Sequence, residues 1–498
     1  MSSLVKSQYF LTCHFPLRIY LRGYSSLCLL PNKITEKRYS VFVNHAFFLM
    51  KRLLRILTIP LVLSKKALQT KSKNTKLAFK EQELMGKVMK IMYLTAEGFD
   101  TPNPNNQLVM TMLDDFLSYG IGVYLVQSHK TGTYDDIPNC LKDKAGLTYD
   151  IIQRPVINKT NFIKRYLDEL KYLWRAKKRW EIGGRDVDLI LLQSNPTSVF
   201  YIFLLKHILK KPIVYSVFDI FPGSAYEIGV VKQRWVYQIF YEIQKLAYRW
   251  SSIIVVPGDD MKDTLTSIGV PEYKICVIPN WYDDRSVSEI KDADNRFFQE
   301  NNIEKTGQFI VQFAGTLGYV LDFQTIIDVA ELLKNDSDIV FHIIGDGNMR
   351  KRYFEKIKQS TLTNIKTFPW QRIEIIQDVY SGCDVCLIPL KRGVIETGFP
   401  SKSTLLMACR RVVISSVPEN TKYYQMINNN NIGIAVPIGQ PQKLAEVIRY
   451  LRNHPEQITK IENKAQEYSK KYFSRTCNVP KFIHLFEELC ASEVEKNV

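Results

Sequence analysis

From Lys90 onward the chain alternates short apolar, β-branched runs with longer stretches in which apolar residues recur every three or four positions. Continuous apolar runs mark buried strands and the longer period marks helices. The runs KIMYLTA (90–96), GVYLVQS (122–128), VDLILLQS (187–194), PIVYSVFD (212–219), SIIVVPG (252–258) and KICVIPN (274–280) are apolar along nearly their whole length. Strands of that kind are covered on both faces, as in parallel sheets. Between them lie helical patterns such as NNQLVMTMLDDFLSYG, which Gly120 closes as a carboxyl cap. A polar stretch at 283–307 breaks the rhythm, and a second series follows: FIVQFAGT, IVFHIIGDG, VCLIPL, VVISS and IGIAVP. Strand and helix alternating in this way, twice over, predict an α/β chain of two Rossmann-like, doubly wound domains. Open sheets bind ligands at the carboxyl ends of their strands, so two facing domains place the site in a deep cleft between them. The expected boundaries are 85–285 for the first domain, 286–307 for a linker, 308–465 for the second domain, and 466–498 for helices that pack back on the first.

Of the 498 residues, 46% are hydrophobic and 23% charged, which suits two or three globular cores and excludes disorder. The net charge of +17 points at first to nucleic acid, but residues 1–84 hold 15 Lys and Arg against 3 Asp and Glu. The other 414 residues carry 52 against 47, so most of the excess belongs to a tail. The body has the balance of a protein that meets phosphates or an anionic membrane surface, and nucleic acid is not expected as a partner. Within the tail, 41–63 comes nearest to a membrane span, yet Lys51, Arg52 and Arg55 interrupt it below the roughly 20 apolar residues a span needs. No charged start with a small-residue cleavage site marks a secretory signal. Residues 1–84 read either as a misassigned start, the protein beginning near Met85, or as a membrane-seeking basic leader. Nine scattered cysteines indicate a reducing compartment, and Cys383 and Cys386, with no second pair or spaced histidines for zinc, read as core thiols of a strand.

After the first strand the chain reads TAEGFDTPNPNN rather than Gly-x-Gly-x-x-Gly, and it has no Walker loop. Hydride and phosphoryl transfer lose their main support. Glycine-rich strand ends do occur in the second domain: Gly315, Thr316, Leu317 and Gly318 in FAGTLGY, and Gly345, Asp346 and Gly347 in HIIGDG. Such turns let backbone amides approach a diphosphate, although any α/β domain needs glycine at tight strand-to-helix turns. The segment LKRGVIETGFPSKSTLLMACRRVVISS then gives a strand, a loop through Gly398, Phe399 and Pro400, and a helix opening near Ser401 with Lys402 in its first turn. A cation there opposes the helix dipole unless an anion occupies the site, so a bound phosphate would justify it; a solvated lysine is the plain alternative. Glu396 is placed to accept hydrogen bonds from a sugar or ribose, or stands as a solvated loop carboxylate.

Five landmarks occur in one order: DIFPGSAYEIGV (219–230), VIPNWYDD (277–284), FAGTLGYVLDFQTIIDVAELL (313–333), HIIGDG (342–347) and GFPSK (398–402). With them, residues 85 to about 490 resemble a family 4 glycosyltransferase of the GT-B fold. The resemblance is nearest to the bacterial subgroup with a Pro-Ser-Lys loop, which works in O-antigen, capsule and exopolysaccharide assembly. It implies a retaining, metal-independent enzyme without cofactor that takes a sugar from a nucleotide diphosphate, a UDP-sugar before a GDP-sugar. The second domain would hold the donor through Gly315 to Gly318, Gly345 to Gly347 and Gly398 to Lys402. Lys402, Glu396 and Asp219 would act at the reacting centre, with Arg392 or Arg350 as auxiliary cations. Asn105, Asn106, Asp219 and Pro222 would face the acceptor in the first domain; for Asp219 the alternative is an amino cap of the following helix.

Two departures from the family pattern stand out. The turn GTLGYVLD has Tyr319 and Leu321 but no cation where relatives commonly grip the diphosphate, and Leu405 replaces the second carboxylate of a Glu-x7-Glu pair, with Glu396 one position early. They motivate a rival reading, a non-catalytic GT-B subunit that binds a partner transferase. A nucleotide-sugar epimerase would need a carboxylate set that the chain does not show.

The stretch NFIKRYLDELKYLWRAKKRWEI (161–182) places Ile163, Leu167, Leu170 and Trp174 on one helical face, among Lys164, Arg165, Lys171, Arg175, Lys177, Lys178 and Arg179. That is the composition of an interfacial helix, or of an amphipathic helix packed on a core. If it meets anionic lipid, the expected acceptor is a saccharide on a polyprenyl diphosphate, and the expected location is cytoplasmic, peripheral at the inner face of the plasma membrane. The second aromatic and basic helix, 232–250, is expected to pack in the first domain.

Overall fold

A computed structural model describes residues 88–496, apart from 96–97, 100–103, 130–136, 155–161, 196, 224–225, 227–232 and 289. The expectations for residues 1–84 lie outside the described residues. Seven parallel strands form the first sheet: β1 (Lys90–Leu94), β2 (Gly122–His129), β3 (Leu147–Gln153), β4 (Leu189–Gln193), β5 (Ile213–Ser216), β6 (Ile253–Val256) and β7 (Ile275–Val277). Their order is β3-β2-β1-β4-β5-β6-β7, so the winding reverses between β1 and β4, whose register pairs Ile91 with Leu189. The second sheet, β8 (Phe309–Ala314), β9 (Ile339–Ile344), β10 (Ile365–Phe368), β11 (Val385–Pro389), β12 (Val412–Ser416) and β13 (Ile434–Val436), runs β10-β9-β8-β11-β12-β13 and repeats that winding. These are the two doubly wound domains that the alternation predicts.

Helices of the first domain are α1 (Pro104–Ser118), α2 (Phe162–Gly183), α3 (Ser198–Ile208), α4 (Arg234–Trp250) and α5 (Asp259–Ser267). Those of the second are α6 (Arg296–Glu300), α7 (Phe323–Leu332), α8 (Arg350–Ser360), α9 (Ile376–Ser381), α10 (Val394–Thr397), α11 (Lys402–Ala408), α12 (Lys422–Asn429), α13 (Pro441–Asn453) and α14 (Pro455–Tyr472), and α15 (Arg475–Lys496) follows. The strand interiors carry the cores: Ile91, Val123, Leu125, Leu189 and Val214 in the first, Ile310, Ile344, Cys386, Ile388 and Val413 in one face of the second. Cys383 and Cys386 are buried there, sulfurs 3.3 Å apart. Helix α4 lies against α3, with Trp250 on Phe203 at 5.3 Å between rings.

Four features differ from the sequence reading. Strands β3 and β10 were not expected; both lie at a sheet edge, where exposed positions such as Tyr149 and Lys366 break up the apolar run. The polar stretch 286–307 is not a plain linker, because α6 inserts Phe297 and Phe298 into the second core and Arg296 grips Asp378 with an Nη2 to Oδ2 distance of 2.5 Å. The return to the first domain comes at Phe473–Ser474 rather than near 466: α14 leaves Ala465 in the second core, and only α15 packs on the first domain, Phe486 on Phe116 at 5.3 Å and Phe482 on Trp281 at 5.9 Å. On α2 the buried stripe is Tyr172, Leu173, Ala176 and Trp180, so Trp174 lies outside it, 40% exposed. The side chains of Ile163, Lys164, Arg165 and Leu167 lie outside the described residues.

Candidate active site

Strand β8 ends in Phe313 and Ala314, and the chain turns at Gly315 with φ of 146°, a region that side chains disfavour. A Cβ on Gly315 would also collide with Nζ of Lys402, so this glycine is where the cation meets the backbone. Gly345 and Gly347, with φ of 144° and 154°, press against the carbonyls of Gly315 and Leu317, and the two glycine loops stack back to back. Their amides are largely consumed in doing so: Gly315 donates to Ile344 O at 2.9 Å, Leu317 to Asp346 O at 2.8 Å, Gly345 to Phe368 O at 3.2 Å and Gly347 to Asp346 Oδ1 at 2.7 Å. The amides of Thr316 and Gly318 have no protein partner among the described residues. Gly345 and Gly347 thus serve the close approach of the loops, and any anion would be met by Thr316 and Gly318.

Lys402 is the first residue of α11 and reaches across to that turn. Its Nζ donates to Ala314 O at 3.1 Å and lies 4.1 Å from the centre of the Phe313 ring. Burial lowers its pKa to about 8, and no carboxylate pairs with it among the described residues. Glu396, in α10, turns Oε2 into the protein interior, where among the described residues it has no hydrogen-bond partner. Among the described residues, a partly buried cation with no counter-ion and a buried carboxylate oxygen with no hydrogen-bond partner thus lie six residues apart, and each is costly on its own.

The first domain closes on this loop directly. Asp219 forms an antiparallel bridge with Gly398, and Ile220 N donates to Thr397 O at 2.8 Å. Asp219 is exposed, yet the protein packed round its carboxyl strips away part of its hydration and raises its pKa. No backbone amide donates to it among the described residues, so the capping role is not seen. Asn280 Nδ2 donates to Ser401 Oγ at 2.6 Å, and Phe399 packs against Gly258. Pro222 is buried beside this contact. Asn106 is not in it: its Nδ2 donates to Gly98 O at 3.3 Å and Phe99 O at 3.4 Å and so holds the turn between β1 and α1. The side chain of Asn105 lies outside the described residues.

Among the auxiliaries, Arg392 is exposed, while Arg350 has a buried, unpaired Nε and stacks its guanidinium 4.7 Å from the Phe354 ring. Tyr319 is partly exposed on the turn after β8, Leu321 is buried, and Leu405 is a partly buried residue packed on the second core. Two residues escaped the sequence reading. Asn280 lies inside a quoted landmark, but its partner is 121 residues away. Asp260, in the first turn of α5, reads as an ordinary amino-terminal acid, yet it accepts hydrogen bonds from the amides of Lys422 and Tyr423 in the second domain.

Comparison with known proteins matches residues 118–286 to Glycosyltransferase Family 4 and residues 294–471 to Glycosyl transferases group 1. WbjE of Pseudomonas aeruginosa, named as a glycosyltransferase, is 24% identical over 298 residues, 59% of this chain and 73% of its own. WcaI of Escherichia coli (strain K12), named as a glycosyl transferase of colanic acid biosynthesis, is 23% identical over 216 residues, 43% of this chain and 52% of its own. The crystal structure of Anabaena Alr3699/HepE in complex with UDP and glucose shares the fold at a TM-score of 0.62 and 15% identity, covering 80% of this chain and all of that one. The two facing parallel-sheet domains are those of the GT-B fold.

Proposed function

We propose that this chain, a glycosyltransferase in which a Family 4 domain precedes a group 1 domain, moves a sugar from a nucleoside diphosphate to a lipid-linked saccharide in cell-surface polysaccharide assembly. The observation that carries the donor side is Lys402, a partly buried cation held against Gly315 with no carboxylate paired to it among the described residues. A diphosphate supplies the missing anion, taking hydrogen bonds from the Thr316 and Gly318 amides and charge from Lys402. As the nucleoside diphosphate departs, negative charge grows on its terminal phosphate, and donors already fixed in place stabilise it most. Glu396 Oε2 accepts from hydroxyls of the donor. UDP is the first choice of nucleotide, since Alr3699/HepE, which shares the fold, is seen with UDP and glucose.

On the acceptor side, Asp219 stands at the contact of the two domains and orients the incoming hydroxyl. Transfer takes place on one face of the sugar with retention, the leaving phosphate receiving the hydroxyl proton, and requires neither a protein nucleophile nor a metal. Polysaccharide assembly is favoured by the kinship with WcaI, which is named for colanic acid biosynthesis. For a lipid-linked acceptor at the inner face of the plasma membrane the support is the outward stripe of α2, where Trp174 sits among exposed Lys171, Arg175 and Lys178. Among the described residues no helix is long and apolar enough to cross a membrane.

The test is a thermal-shift titration of the protein with UDP, GDP, ADP and CMP, with Lys402→Ala alongside. Ligand at about 100 times its dissociation constant adds roughly 2.7 kcal/mol of stability, ample to detect. A shift with UDP that disappears in the variant supports the donor site. A folded protein that responds to none of the four would overturn it.

A further inference from the structure

A helix normally satisfies its first-turn amides with a side chain from its own chain one residue earlier. Helix α12 does this only in part. Thr421 Oγ1 accepts from Tyr424 N at 3.2 Å, while the amides of Lys422 and Tyr423 donate to the two carboxylate oxygens of Asp260, at 2.7 and 2.8 Å. Asp260 is 162 residues earlier, on α5 of the other domain. One carboxylate from the first domain therefore completes the amino terminus of a helix in the second, where a negative charge is also favoured by the helix dipole.

That helix leads to the donor loop. Tyr423 meets Phe399 edge to face at 5.8 Å, and its hydroxyl lies 3.3 Å from Ser415 Oγ at the end of β12. Phe399 in turn packs on Gly258, the residue before α5, where an added Cβ would lie 3.0 Å from its ring. The cap, the aromatic contact and the loop form a closed circuit between the domains, with Lys402 three residues beyond Phe399. We propose that Asp260 is a positioning residue of the transfer reaction: by capping α12 across the cleft, it holds the donor loop against the first domain and fixes Glu396 and Lys402 opposite Asp219. The role rests on the donor-site reading above. Asp260 acts through α12 and Phe399, so its loss alters the closed geometry rather than the affinity of the second domain for nucleotide. The neighbouring pair of Lys422 with Asp263, at 2.8 Å, is about half exposed and contributes little.

Hydrogen exchange of the full-length protein, read by peptide mass spectrometry with and without UDP, tests the cap itself. In Asp260→Ala the first-turn amides of α12 should exchange about tenfold faster, while β12 keeps its protection. Calorimetry should find UDP affinity within about threefold of the native protein. With UDP-glucose as donor and a cell-membrane extract as acceptor, kcat should fall about tenfold with KM nearly unchanged. Asp260→Asn keeps an acceptor oxygen and should recover part of both rate and protection; it carries the test if the alanine variant does not fold. Asp263→Ala should match the native protein in every readout. Unchanged exchange in Asp260→Ala, or UDP affinity falling in step with rate, would overturn the proposal. If the native protein binds no UDP, the donor reading fails, while the exchange comparison still decides whether the cap exists.

Discussion

Lys402 titrates where it can be measured. Burial brings its pKa from 10.5 to about 8 in the free protein, so the fold disfavours the charged form. For stability the sign is unfavourable at neutral pH: the cost is present below about 8 and is relieved as pH rises toward the ordinary lysine range. For a diphosphate the sign reverses, because the anion favours the charged form and binding raises the pKa again. UDP affinity should be full below pH 8 and fall about tenfold per unit above it, until the pKa of the bound state is passed. Calorimetry at pH 7 and pH 9, in buffers of different ionisation enthalpy, should show weaker binding at pH 9 with uptake of nearly one proton. Affinity that ignores pH would remove Lys402 from the phosphate site. Glu396 gives a complementary signature. Its Oε2 is buried without a hydrogen-bond partner among the described residues, so Glu396→Gln should leave thermal stability unchanged or raised, while transfer falls at least about tenfold. Loss of stability and activity together would mean that the carboxylate holds the loop rather than the donor.

Helix α2 shows what a periodic pattern settles and what it leaves open. Spacing of three and four places Tyr172, Leu173, Ala176 and Trp180 on one buried face, and the same spacing places Lys171, Trp174, Arg175 and Lys178 on the other. Both faces contain aromatic residues, so the sequence alone does not say which tryptophan is buried; packing chose Trp180. The exposed stripe makes a definite expectation. Each basic residue near an anionic surface is worth about 1 kcal/mol, so the double variant Lys171→Glu with Lys178→Glu should bind phosphatidylglycerol vesicles well over tenfold more weakly. Sedimentation with such vesicles, and with neutral ones as control, measures it; equal binding of variant and native protein would exclude α2 as the membrane face. Strands were legible on the same terms. Those buried on both faces announced themselves, whereas β3 and β10, at the edges, are diluted by polar residues. Phe297 and Phe298 were hidden by the polar residues around them, although they anchor the second core. In the site, Gly315 and Lys402 were readable because each sits in its own strand-turn-helix unit. Asn280 and Asp260 were not, because their meaning depends on partners 121 and 162 residues away, which only the docking of the two domains supplies.

The whole molecule turns on two chain crossings that run side by side. Tyr282 N donates to Phe473 O at 3.0 Å and Arg475 N to Tyr282 O at 2.9 Å, so the outgoing and returning segments are zipped together. Arg475, its side chain only 3% exposed, then fastens the pair to the first domain: its guanidinium bonds Asp115 at 2.6 Å, Asp114 at 2.9 Å and Asp283 at 3.0 Å. Lys144 and Arg285 add to the same carboxylates. A fork of this shape cannot be replaced by the point charge of a lysine. Burial alone would raise the Asp114 carboxyl, but hydrogen bonds from Lys144 and Arg475 overcome it and hold the pKa below the usual value. Stability from a depressed carboxylate is present above its unfolded pKa and lost as pH falls through the folded one. Arg475→Leu should therefore cost about 3–5 kcal/mol at pH 7, where it takes the fork away from three carboxylates, and distinctly less near pH 3, where Asp114 begins to take up its proton. Urea unfolding of both proteins at the two pH values gives the comparison. A cost that stays the same at both would mean that Arg475 holds the crossing by packing and neutral hydrogen bonds. A cost that shrinks with acid identifies the charge network as what fixes the paired crossings, leaving the contacts at Asp219 and Asp260 to hold the donor loop against the first domain.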